Sequence, residues 1–358
     1  MKIEKTYDNM HLLKGIGAMI VCSSHILDRL VAYNGNKPLA IESILLQPGI
    51  WYVLWSGGIQ VYIFCMISGY FSWHKQINNF KDLLKGILKR YINFVLLIFV
   101  GNLISYVLIK CNCCPFESAS IILNDNTLVA PTTDIWTIIK SSFMLQDQIH
   151  GAFWMIQYMF CGNVIIYALK YLKKYISNYI YILYGIAIYI TSTVHYLVTV
   201  TIAGIILYEI ITHIPERKMN RRQKILAVLT LVILMVIVQN PSGIFQNNYH
   251  VCVMIICELI CIIVQYIDIN NSIIDKITQY SKKCSISIYS VHMPILRSLG
   301  MYILILFNNF HMNVNLMLIC AWGCTLIITL FIAYFYAQSI EKWRNEICNK
   351  LVRKIKIK

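Results

Sequence analysis

The chain has 358 residues, 58% of them hydrophobic and only 13% charged, with a mean hydropathy of +0.63. That composition leaves too few polar side chains to cover a water-soluble surface, so lipid must be the solvent. The formal net charge of +15 would suit a nucleic-acid partner in a soluble protein, but here the basic residues fall where cytoplasmic loops belong, and no nucleic acid is expected.

Apolar runs long enough to cross a bilayer as helices recur along nearly the whole chain. They predict an all-α polytopic transmembrane bundle of about ten spans, near 11–30, 51–72, 87–109, 152–169, 179–196, 198–213, 224–240, 250–267, 285–307 and 315–337. A transmembrane domain over 1–340 is followed by a basic cytoplasmic tail over 341–358, and no separate soluble domain is expected. An even number of spans puts both termini on one side. With the N-terminus inside, 26 of the 31 Lys and Arg residues lie in cytoplasmic positions, leaving Arg29, Lys37, Lys110, Lys140 and Arg297. The positive-inside rule therefore predicts cytoplasmic termini in the cell membrane.

Span one carries Lys14 and His25 and no small-residue cleavage site, which argues against a cleavable signal peptide. Eleven helical steps separate the two residues, a turn of about 1100° and a rise of about 16 Å, so both side chains share one face. Ionisable groups inside lipid are costly and are functional candidates by default. Lys14 either snorkels to the inner headgroups or holds an anionic group, and His25 either bonds a neighbouring helix or does chemistry in the outer half of the bilayer. That geometry suits an acyl-CoA threaded from the cytoplasm, its anionic end inside and its reactive end outside.

Span two ends in Ser68-Gly69, where glycine permits close helix approach. A basic loop with Lys85, Lys89 and Arg90 follows. The long outer segment 110–150 holds Glu117, Asp125, Asp134 and Asp147 with turn residues around Asn124-Asp125-Asn126, and reads as an acceptor-facing loop. Its Cys111, Cys113 and Cys114 could oxidise, but they lack a second Cys-x-x-Cys or a His pair, so no metal is expected. Most other cysteines lie in apolar runs, where a thiol packs as a small hydrophobe. Trp154 opens a middle span as an interfacial anchor or a substrate contact. Glu209, Glu258, His195 and Arg297 are expected to do no more than pair helices. In span nine, Pro294 removes a helix hydrogen bond and predicts a kink, with His292 facing a cavity or a neighbouring helix.

These segments together resemble the membrane acyltransferase 3 family, whose members O-acylate bacterial surface glycans. Lys14-x10-His25 is similar to that family's basic-x10-His signature, and Val61-Tyr-Ile-Phe-Cys-Met-Ile-Ser68-Gly69-Tyr-Phe71 to the end of its second span. Phe153-Trp154-Met-Ile resembles its Trp-Phe-Leu start of a middle span, and Ser285-Ile-Ser287-Ile-Tyr289-Ser-Val-His292-Met-Pro294 its late Tyr-x-x-His-x-Pro segment. Its Arg-x-x-Arg motif is matched only by Arg90, since an apolar residue stands at the first arginine's position. The tail carries no soluble hydrolase-like extension, which corresponds to the family's stand-alone form.

The resemblance implies an O-acetyltransferase drawing on acetyl-CoA or another acyl-CoA, with a surface or lipid-linked glycan as acceptor. His25 is then the base or transient acyl carrier, with His292 a second catalytic candidate. Lys14, Lys89 and Arg90 would neutralise the CoA phosphates, and Ser68, Trp154 and Tyr289 would contact substrate. Two other classes fit the residues: a transporter or flippase of a glycan or small solute without acyl chemistry, and a polytopic acyltransferase that works through a late histidine, here His292. Repeat-related broken helices, a mark of inverted-repeat transporters, are not evident.

Overall fold

The computed structural model describes residues 2–31, 57–123, 128–213, 219–238, 249–266 and 272–354, and every regular element among them is helical. In chain order they are α1 (Lys2–Val31), α2 (Gly57–His74), α3 (Phe80–Lys110), α4 (Phe116–Leu123) and α5 (Ile135–Phe143). After a 3-10 turn at Phe153–Met155 come α6 (Ile156–Ile176), α7 (Ile180–Val194), α8 (Tyr196–His213), α9 (Arg221–Val238) and α10 (Tyr249–Tyr266). α11 (Ser272–Ile295) runs through a π turn at Leu296–Gly300 into α12 (Met301–Asn309), and α13 (Val314–Tyr336) through a second π turn into α14 (Lys342–Lys354).

Five helical stretches among the described residues are long and apolar enough to cross a membrane: Phe80–Lys110, Tyr196–His213, Tyr249–Tyr266, Ser272–Asn309 and Leu316–Lys354. The protein is thus an all-helical membrane protein. Each of the ten expected spans falls on a helix, and the five that miss the criterion do so for visible reasons. α1 carries Lys14 and His25, α2 is diluted by Gln60, Ser68, Ser72 and His74, and α6 holds Asn163 and three lysines; α9 opens on Arg221, Arg222 and Lys224, and α7 has only 15 residues. Much of that polarity belongs to helices that surround the candidate site. The expected start of span two (51–56), Asn124, Asp125, Asn126, Lys37, Arg217, Lys218, Lys356 and Lys358 lie outside the described residues.

The outer segment 110–150, expected as a loop, contains α4 and α5. The side chain of Asp134 caps α5 by accepting from the Thr137 amide at 2.8 Å. Pro294 does not break its helix, which passes into the π segment at Leu296, two residues further on.

Lipid tails give helices no hydrophobic reason to associate, so close packing and buried hydrogen bonds must hold the bundle. α2 and α8 cross backbone to backbone: a Cβ added at Gly69 would lie 1.8 Å from the Thr201 carbonyl oxygen, and one at Gly204 would lie 2.3 Å from that of Met66. Ser68, Ser72 and Asn163 form a buried network beside this crossing, with the Ser72 hydroxyl donating to Asn163 Oδ1 at 2.7 Å and Asn163 Nδ2 donating to Ser68 Oγ at 3.1 Å.

α1 and α11 lie side by side and run parallel. Gly15 abuts Ser281, where a Cβ would come within 2.0 Å of the serine Oγ, and His25 meets His292 at 5.4 Å between ring centroids. Ten residues on one helix match eleven on the other, so the two keep nearly the same height over about 15 Å. All thirteen cysteines are free; Cys22, Cys65, Cys257 and Cys261 are buried, whereas Cys161 is exposed.

Candidate active site

Proline has no amide hydrogen, so Pro294 leaves the carbonyl four residues earlier, that of Ser290, without its helical partner. His150 fills the vacancy: its Nε2 donates to the Ser290 oxygen at 2.8 Å. The loop that delivers His150 is itself pinned. Asn102 Oδ1, fully buried, accepts from the Ile149 and His150 amides at 3.1 and 3.0 Å, and the Arg297 guanidinium donates to the Ile149 carbonyl. Gly151 turns the chain at φ +84°, a conformation that glycine adopts without strain, and Asp147 Oδ2 accepts from the Phe153 amide at 2.7 Å.

Three histidines meet here. The His25 and His292 rings stack at 20°, and His150 stands edge-on to His292 at 5.7 Å. His292 Nδ1 donates to the Tyr289 carbonyl at 2.9 Å and approaches that of Ile288 at 3.2 Å. A carbonyl oxygen only accepts, so in the neutral ring the proton sits on Nδ1 and Nε2 keeps its lone pair. Among the described residues that nitrogen is buried without a partner, as is His150 Nδ1 by the same reasoning. The cluster therefore presents fixed, unprotonated imidazole nitrogens, the form a general base requires. Tyr289 lies 5.6 Å from His292, and its hydroxyl donates to the Ala152 carbonyl. Phe153 stacks on His150 at 3.9 Å, completing the wall.

Tyr289 also lines a cavity of about 130 Å³ with Lys14, Ser68, Arg90, Asn93 and Arg344. A space of that order holds a group about the size of benzene, so it takes one portion of a larger ligand. Arg90 is held over it by Ser68 Oγ at 2.6 Å and Ser72 Oγ at 3.2 Å. The cavity spans from Ser285 to Tyr289 on α11, and His292 lies about one turn further along the same helix.

Of the residues singled out from sequence, Lys14, Arg90, Ser68 and Tyr289 line the cavity, and His25 and His292 meet beyond it. Lys89 does not join them: it is exposed and offers only its carbonyl, to Cys348. Neighbouring helical residues diverge by about 100°, so Lys89 and Arg90 cannot both face one cavity. Trp154 is 41% exposed while Phe153 is fully buried, for the same reason. Arg297, expected only to pair helices, instead anchors the His150 loop.

The sequence reading left out His150, Asn102 and Arg344. The first had a signal, since a proline inside a helix implies an orphan carbonyl and hence a donor elsewhere. Among the described residues no cluster of three or more His, Cys, Asp or Glu could hold a metal ion.

A family model described as "Acyltransferase domain" matches residues 7–338. No curated protein and no solved structure matches the chain.

Proposed function

Because the chain belongs to this acyltransferase family, the membrane acyltransferase 3 family, we propose that it moves an acyl group, acetyl in the simplest case, from cytoplasmic acyl-CoA to a hydroxyl of a surface or lipid-linked glycan. The observation that carries the proposal is the juxtaposition on α1 and α11: a cation-lined cavity at the level of Lys14 and Ser285, and paired imidazoles at the level of His25 and His292. The rise of about 16 Å between Lys14 and His25 is one that an extended pantetheine arm can bridge.

In this reaction His25, half-buried and so the more accessible ring, takes the proton of the acceptor hydroxyl. The alkoxide oxygen forms a C–O bond to the thioester carbonyl, the C–S bond breaks, and CoA leaves as a thiolate that is then protonated. His292, locked by two backbone carbonyls, positions His25 by stacking on it. Lys14 and Arg90 hold donor phosphate, Arg as a fork and Lys as a point charge. Ser68 aims Arg90, and Tyr289, which lines the cavity and lies 5.6 Å from His292 between ring centroids, flanks the way from the cavity to the imidazoles.

We place both termini in the cytoplasm of a ten-span bundle in the cell membrane. Parallel α1 and α11 require an odd number of crossings between them, and seven helices, α2, α3 and α6 to α10, stand there. The basic residues then gather on the cytoplasmic side.

A second reading has its own observation: the unpartnered His292 Nε2 could itself be the base. Purified protein in lipid nanodiscs, given acetyl-labelled acetyl-CoA and candidate glycans, should transfer label. His25→Ala should lower kcat by about 10³-fold or more, the scale of a lost general base, and His292→Ala by less. The reverse order would assign the chemistry to His292. A wild type that moves glycan across vesicles without any acyl donor would replace the enzyme by a transporter.

A further inference from the structure

Arg344 belongs, by sequence, to a basic tail whose charges look like topology signals. The structure puts it somewhere else. α14 is amphipathic: Arg344 and Cys348, four residues apart, are buried at 1% and 2% exposure, while Trp343, Lys350, Arg353 and Lys354 are exposed. Cys348 Sγ donates to the Lys89 carbonyl at 3.5 Å, which seats α14 on α3 beside Arg90. Arg344 thereby enters the cavity wall with Lys14 and Arg90.

Its guanidinium is poorly satisfied there. Nη2 reaches Glu341 Oε1 at 3.5 Å, but among the described residues Nε and Nη1 are buried without partners. The other carboxylate oxygen of Glu341 accepts from Ser287 Oγ at 2.5 Å. Among the described residues three cations thus face one small cavity against one carboxylate, and Arg90 Nε is also unpartnered. Buried charge of one sign is expensive unless a counter-charge arrives. Unused N–H groups on planar forks fit the oxygens of a phosphate group.

We infer that Arg344 is a donor-binding residue: with Lys14 and Arg90 it forms a three-cation pocket for a phosphate of the acyl-CoA. The inference rests on the reaction proposed above. It makes α14 a structural part of the donor site and ties that site to the last element described, on the cytoplasmic side of the proposed topology. Glu341 holds the guanidinium ready and sets its direction from α11 through Ser287.

The test compares acetyl-CoA with S-acetylpantetheine, which carries no phosphate, as donors for wild type, Arg344→Gln and Arg344→Lys in nanodiscs. One charge-assisted hydrogen bond corresponds to about tenfold to hundredfold in affinity. Arg344→Gln should therefore raise the KM for acetyl-CoA by that factor with little change in kcat, and shrink the preference for acetyl-CoA over S-acetylpantetheine equally. Arg344→Lys should recover part of it. An equal loss with both donors would make Arg344 a packing residue, and no loss with either would overturn the pocket.

If neither variant folds, an arginine-selective dicarbonyl applied to the wild type should label Arg344, with CoA but not pantetheine protecting it. Absence of that protection overturns the pocket. A lipid phosphate in the pocket would leave both KM values unaltered and would show as phospholipid retained by wild type and lost from Arg344→Gln in native mass spectrometry, which also overturns the inference. A wild type that binds CoA through Arg344 yet transfers no acyl group would remove the reaction and leave the pocket standing.

Discussion

Pro294→Ala tests whether one missing amide hydrogen organises the candidate site. Proline inside a helix costs about 3 kcal/mol relative to alanine, and the substitution returns an N–H that can bond the Ser290 carbonyl. That oxygen is the acceptor for His150 Nε2 at 2.8 Å. Displaced from it, a buried imidazole N–H costs about 1–3 kcal/mol. The two terms nearly cancel or leave up to about 2 kcal/mol in favour of the variant, so thermal unfolding in detergent should be unchanged or moved upward. Activity should move the other way. His150 buttresses His292 edge-on at 5.7 Å, and an error of about 1 Å in a catalytic constellation costs about 10²-fold. Acyl transfer by Pro294→Ala should therefore fall by about tenfold to hundredfold while the protein stays folded. The double variant with His150→Ala decides the cause: residues acting through one carbonyl show a coupling of about 1 kcal/mol or more. Additive effects, or an active and more stable Pro294→Ala protein, would refute the link.

Three further outcomes follow from the same contacts. Asn102→Ala removes the acceptor of two buried amides and should cost about 2–4 kcal/mol, read as a lower midpoint of thermal unfolding together with lost activity. Gly204→Ala drives a methyl into the α2 backbone, 2.3 Å from the Met66 oxygen; it should lower stability by at least about 1–3 kcal/mol, whereas Gly58→Ala, with nothing within 4 Å, should be silent in the same scan. Arg90→Ala should raise the KM for acyl-CoA by about tenfold or more, while Lys89→Ala, exposed, should stay within twofold. Equal effects at 89 and 90 would mean that this end of α3 acts by bulk charge.

The helices were legible from sequence because lipid demands long apolar runs, and each run near 11–30 through 315–337 landed on a helix. The one-face pairing of Lys14 with His25 was also legible, since a single helix fixes its own periodicity. Harder to see were relations between distant segments. Nothing local says that α1 and α11 lie together, so the His25–His292 stack was out of reach even with both residues already singled out. Arg344 was hidden by its surroundings: in a tail rich in Lys and Arg, one inward-facing guanidinium looks like the others until the amphipathic turn of α14 is built. Lys89 shows the opposite case: a motif match names neighbours, and a helix turns them to different sides, so Lys89 is exposed while Arg90 lines the cavity.

The parallel pair α1 and α11 also bears on how the protein is made. Helix α1 carries Lys14 and His25, and ionisable groups within a lipid-spanning segment are costly until protein surrounds them. Its long-term neighbour is synthesised only after some 240 more residues, from Ser272 onward. Until then α1 must wait at the translocon or lean on α2, whose Gln60 lies 2.9 Å from where a Cβ at Gly17 would be. Completion of the half-site on α1 is thus a late event in biogenesis, and chains stopped before α11 should be recognised by membrane quality control as carrying an imidazole that lacks its stacking partner His292.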